Sequence, residues 1–196
     1  MEPHSLSELD PAARERAIAW MREAEANDYS PADVIDDCLT CLQFLGIDVD
    51  NDRKGRPAVE YSVGGNDDYV AFCGGWRVAD MDVAGLLAYA PQDDALHRVA
   101  SQFTAILLQW PLATAGIGHT GQRFVIDVDY GDDVPCDGKT LIQLLLVAVK
   151  AAAAWMLARM QADYEWRTSD EACIDCIEAN DYRFTKAGEF VPEVPA

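Results

Sequence analysis

The chain has 196 residues, half of them hydrophobic, and sets 34 Asp and Glu against 15 Lys and Arg, for a formal net charge of −19. The apolar share excludes a wholly disordered acidic chain, and the length suits one compact domain with a sizeable core. The charge argues against a nucleic-acid or anionic-membrane binder, because phosphates would be repelled by most of the surface.

The polar start, Met1-Glu2-Pro3-His4, leads into no apolar stretch flanked by Lys or Arg. A secretory signal is therefore not expected, and the chain reads as cytoplasmic. Asp10 can cap a first helix with Pro11 in its first turn, and Ala13, Ala17, Trp20, Met21 and Ala24 recur on one face. Ser30 and Pro31 repeat the signal for a second helix, whose apolar stripe is Val34, Ile35, Cys38, Leu39, Leu42 and Leu45. Gly46 can adopt the left-handed conformation that stops it. The period then turns to alternation. Val59 to Val63 and Tyr69 to Cys73 read as strands joined by Gly64-Gly65-Asn66-Asp67, and Gly74-Gly75 mark a bulge or turn before Trp76-Arg77-Val78.

Helical spacing returns from Val83 to Trp110, broken at Pro91, with Leu96, Val99, Ala100, Phe103, Leu107 and Trp110 on one side. Leu112 to His119 and Gln122 to Tyr130 read as a hairpin around Thr120-Gly121. In its second strand Phe124, Ile126, Val128 and Tyr130 face one way and Asp127 and Asp129 the other. A long apolar helix follows from about Thr140 to Ala162. It is long enough to cross a bilayer, but Gln143, Lys150 and Arg159 interrupt it, and a buried central helix is the better reading. Thr168 or Ser169 can cap a short helix with Asp170 and Glu171 in its first turn, and the tail forms a small hairpin around Ala187-Gly188. The expectation is a single α+β domain over 1–196, a short antiparallel sheet packed with N-terminal, central and C-terminal helices. It is helical over 1–46, strand-rich over 57–79, helical over 83–110, a hairpin over 112–130, helical over 140–180, with a tail over 181–196.

No catalytic signature emerges. Cys38/Cys41 and Cys173/Cys176 form two CxxC pairs, which could in principle build a thiolate zinc site. Both fall within helices, where residues three apart merely share a face, and Glu171, Asp175 and Glu178 beside the second pair oppose thiolate formation. Reduced, helix-packing cysteines are the expectation, with a small metal-binding protein as an alternative and no cofactor called. Asp48, Asp50 and Asp52 alternate like the start of a calcium loop, but Arg53 and Val59 stand where Gly and Glu are needed. His4, His97 and His119 are scattered, and Gly116-Ile117-Gly118 lacks the rest of a phosphate-binding fingerprint. What remains is acid, in recurring pairs: Asp36-Asp37, Asp67-Asp68, Asp93-Asp94, Asp132-Asp133 and Asp170-Glu171. Gathered onto one face, they would attract a basic groove on a partner protein.

Three stretches carry a resemblance. LSELDPAARERAIAWMREAEANDYS with the following LGIDVD, the central LLAYAPQDDALHRVA, and the C-terminal YEWRTSDEACIDCIEANDYRFTKAGEF together resemble a family of phage and prophage accessory proteins of unknown function. Its members are often labelled "antitoxin of toxin–antitoxin stability system". The resemblance implies a phage gene product and brings no catalytic residues with it. Charge and resemblance together lead to the expectation of a non-enzymatic protein, acting in the host cytoplasm, that binds a host factor with a basic surface. An anti-CRISPR or anti-restriction protein mimicking nucleic acid would fit; an antitoxin that neutralises a partner toxin by direct binding is the alternative. Neither nucleic acid nor membrane is expected as a direct partner.

Overall fold

The structure, a computed structural model, describes residues 3–129 and 138–192. Among the described residues it is a mixed α+β fold of six α-helices with antiparallel sheets. The chain groups into two compact units, one of residues 32–160 and one of residues 1–31 with 161–196.

In the larger unit, α2 (Ala32–Phe44) buries Cys38, Cys41 and Leu42. It passes without a connecting loop into β1 (Leu45–Val49). The helix thus stops two residues before Gly46, close to the expected end. Gly46 does have positive φ, +78°, but it lies one residue inside the strand, at an irregularity in the pairing between Leu45 and Ile47. A Cβ at this position would run into the Arg77 carbonyl oxygen of the neighbouring strand as well as strain the backbone. Gly46→Ala should therefore cost about 1–3 kcal/mol, read from the urea midpoint; a loss below the reach of that measurement would contradict the geometry.

The hairpin of β2 (Val59–Ser62) and β3 (Tyr69–Phe72) matches the expectation and forms its own two-stranded sheet. β4 (Gly74–Met81) is one continuous strand from Gly74, so the two glycines open it and do not interrupt it. Next come α3 (Val83–Tyr89) and α4 (Asp94–Leu107), separated at Pro91 as read, with Asp82 and Asp93 as N-caps accepting from the backbone of Gly85 and Leu96. β5 (Thr114–Thr120) and β6 (Arg123–Asp129) complete a four-stranded antiparallel sheet ordered β1-β4-β5-β6. Phe124 and Ile126 are buried while Val125 and Asp127 are exposed, the alternation of a sheet with one wet face. Tyr130 lies outside the described residues.

α5 (Gly138–Arg167) is the long apolar helix, longer than expected at both ends, and it continues from the larger unit into the smaller. By length and composition it could cross a membrane. Nine of its side chains, from Leu141 to Met160, are buried, and they belong to the large core with Trp76, Phe72 and Phe103.

The smaller unit begins with a single 3-10 turn at Leu6–Glu8, then α1 (Pro11–Asn27), capped by Asp10 accepting from Ala13. α6 (Asp170–Ala179) is capped by Ser169, which accepts from Ala172. The tail hairpin is β7 (Arg183–Phe184) with β8 (Phe190–Val191), turning at Gly188 with φ +83°. Its core is separate from that of the larger unit: Leu6, Ala17, Ile18, Met21, Cys173, Ile177 and Phe184. Trp20 stacks on Phe190 with ring centroids 4.2 Å apart.

Candidate functional site

One member of an acid pair, Asp37, meets a whole second pair, Asp93-Asp94, in the larger unit. On α2, Asp37 and Cys41 are four residues apart and so share one side of the helix. α3 ends at Tyr89, and the turn after it delivers Asp93, the cap of α4, and Asp94 in its first turn. α5 supplies Trp155 and Arg159, again four apart. These side chains line an open cleft of about 600 Å³, within the size range of small-ligand pockets.

Two of the three carboxylates in the cleft, those of Asp37 and Asp93, are each held by two hydrogen bonds. Asp37 accepts from the Tyr89 hydroxyl through Oδ1 at 2.7 Å and from Arg159 Nη2 through Oδ2 at 2.9 Å. Asp93 accepts from the Leu96 backbone N–H through Oδ1 at 2.8 Å and from the Trp155 indole N–H through Oδ2 at 2.9 Å. The Arg159 guanidinium carbon lies 6.0 Å from the Trp155 ring centroid. Asp94 is exposed. Three carboxylates against one guanidinium leave the cleft with a net charge of −2. The hydrogen bond to Asp37 raises the Tyr89 hydroxyl above its ordinary pKa, since the donated proton is held by a carboxylate.

Cys41 lines the cleft, and Cys38 lies one turn before it on α2; both are buried. Burial pushes Cys38 up to about 12 and Cys41 up to about 11, with Asp37 and Asp93 adding to the rise. The other pair, Cys173 and Cys176, is on α6 in the smaller unit and is also raised, first by burial and then by Glu25. The acids flanking that pair in sequence do not dominate the shift. The two CxxC pairs thus belong to different units. Among the described residues no group of three or more His, Cys, Asp and Glu is placed to hold a metal ion.

The remaining acid pairs are scattered. Asp36, one residue before Asp37, is exposed and does not line the cleft. Asp67 is exposed in the β2–β3 turn, and Asp68 accepts there from the backbone of Gly64 and Gly65. Asp132 and Asp133 lie outside the described residues. Asp170 pairs with Arg22, and Glu171 is exposed, both at the start of α6. Of the calcium-like triplet, Asp48 lies in β1, and Asp52 staples a turn by accepting from the Arg56 backbone and guanidinium. His97 bonds the Ala90 carbonyl oxygen, and His119 bonds that of Gly121 and lies 4.0 Å from the Glu60 carboxylate.

Sequence reasoning missed Tyr89, Trp155 and Arg159. The available signal was Arg159 itself, a cation four residues after a Trp in a helix with no acid between Gly138 and Ala162. It also missed a second acidic feature. Glu171, Asp175 and Glu178 recur at i, i+4 and i+7 on the exposed side of α6, opposite the buried Cys173 and Ile177. The smaller unit carries 16 acids and 6 bases in 67 residues, against 18 and 9 in the 129 of the larger. Carboxylates are therefore denser in the smaller unit, whereas the cleft with surplus acid and aromatic walls is in the larger. No protein-family model matches the chain, and neither a curated protein nor a solved structure matches it.

Proposed function

We propose that the chain is an acidic, non-enzymatic phage protein that binds and inhibits a host nucleic-acid-handling defence complex of the CRISPR or restriction type, acting in the host cytoplasm. The observation that carries this reading is the gathering of Asp37, Asp93 and Asp94 around one open cleft, in a chain of net charge −19. Such a surface suits Lys and Arg side chains that otherwise hold phosphates, and its field speeds docking onto a basic groove. The acidic ridge of α6 offers further carboxylates to the same kind of partner. Inhibition is by occlusion: the partner's cations pair with carboxylates and are withdrawn from nucleic acid. The resemblance to phage accessory proteins supports the origin of the chain and the choice of a host target.

The immobilised full chain, exposed to bacterial lysate, should retain a nucleic-acid-handling complex that is released as salt rises and is displaced by added DNA. Asp94→Lys, an exposed change, should weaken capture by about tenfold, or ~1.4 kcal/mol. A partner held at high salt through apolar contacts alone, or a captured complex that still binds nucleic acid unhindered, would overturn the reading.

A further inference from the structure

We infer that the cleft of the larger unit selects arginine over lysine, taking the guanidinium of an arginine on the bound protein against Asp93, Asp94 and the Tyr89 ring. This inference rests on the reading of the cleft as the contact site for a basic partner. It adds which basic side chain is recognised.

The cleft already seats one guanidinium. Arg159 pairs with Asp37 at 2.9 Å and lies over Trp155, so carboxylate and aromatic wall act on the same planar cation. Arg159 balances only one of the three carboxylates. Asp94 is exposed, and no described residue pairs with its carboxylate. Tyr89 is 48% exposed and lines the same cleft as Asp94. The Asp37 and Asp93 carboxylates are each fixed by two donors, and each of their oxygens can accept a second hydrogen bond. Fixed, paired acceptors next to an aromatic ring favour a planar fork that bonds through its edge and stacks through its face. A compact, strongly hydrated ammonium cannot do both at once.

The test titrates the full chain with hexa-arginine and hexa-lysine at near-physiological ionic strength. Affinity is read by calorimetry, and the site by the indole N–H resonance of Trp155, which is hydrogen-bonded to Asp93. Hexa-arginine should bind about tenfold more tightly and shift that resonance. Asp94→Asn and Tyr89→Leu, both at exposed positions, should each bring arginine affinity down toward that of lysine. Asp67→Asn, at an exposed position in the β2–β3 turn, should leave the preference intact. Equal affinities for the two peptides would overturn the inference, as would a preference that survives both cleft variants or one lost with the Asp67 variant. Equal affinities alongside salt-sensitive capture of a host complex would overturn this inference alone; loss of that capture would overturn the functional reading.

Discussion

Replacing Trp76 with Ala should destabilise the larger unit by about 3–5 kcal/mol, enough to consume much of the stability of an ordinary domain. Trp76, the third residue of β4, is 1% exposed and lies between Ile47 of β1 and Ala115 of β5. Its indole N–H donates to the Leu45 carbonyl oxygen at 3.1 Å, and its ring lies 6.1 Å from that of Phe103 on α4. Truncation opens a large void and strands a buried acceptor at the point where β1 leaves α2. Trp76→Phe separates the two effects: it keeps most of the packing, loses the donor, and should cost about 1–2 kcal/mol. Urea denaturation followed by circular dichroism, with hydrogen exchange on the β4 amides, reads both. A loss below about 1 kcal/mol for the Ala variant would contradict the placement of Trp76 at the heart of the core.

The second large effect is alkaline. Cys38 and Cys41 have folded pKa values raised by burial, to about 12 and about 11, above the 9.0 of a free thiol. Below pH 9 both thiols are neutral in the folded and unfolded chain, and their contribution is fully present. As pH rises past 9, the unfolded chain releases protons that the folded chain retains. Stability then falls by about 1.4 kcal/mol per pH unit for each thiol until the folded values are reached. The check compares urea midpoints from pH 8 upward for the native chain and for Cys38→Ala/Cys41→Ala. Tyr and Lys titrate in both proteins and cancel in the comparison. The native chain should lose stability more steeply; parallel curves would refute the burial of these thiols.

Much of the fold was legible because its signals are local. Asp10 before Pro11, Ser169 before α6, and the glycine turns of the hairpins each act within a few residues of themselves. β1 was not legible, since Leu45 continues the helical stripe of α2 and the positive φ of Gly46 serves a bulge as well as a helix end. The strand order was also hidden, because it depends on which distant segments pair. At the site, sequence marked the acids but not their company. Asp37 and Asp93 are brought together by packing alone, and Trp155 and Arg159 sat in what read as a purely structural helix. Beyond the cap at Asp10, the sequence did not show that further acids already have internal work: Asp82 and Asp93 cap helices, and Asp68 closes a turn.

The smaller unit is assembled from two remote stretches, 1–31 and 161–196. Met21 of α1 finds its core partners Cys173 and Ile177 only on α6, and Trp20 its stacking partner only at Phe190. On the ribosome, residues 32–160 possess all of their own core before those partners have been translated. The nascent α1 must therefore wait with its hydrophobic side unmatched, and a polypeptide arrested before α6 would display that side to chaperones and proteases.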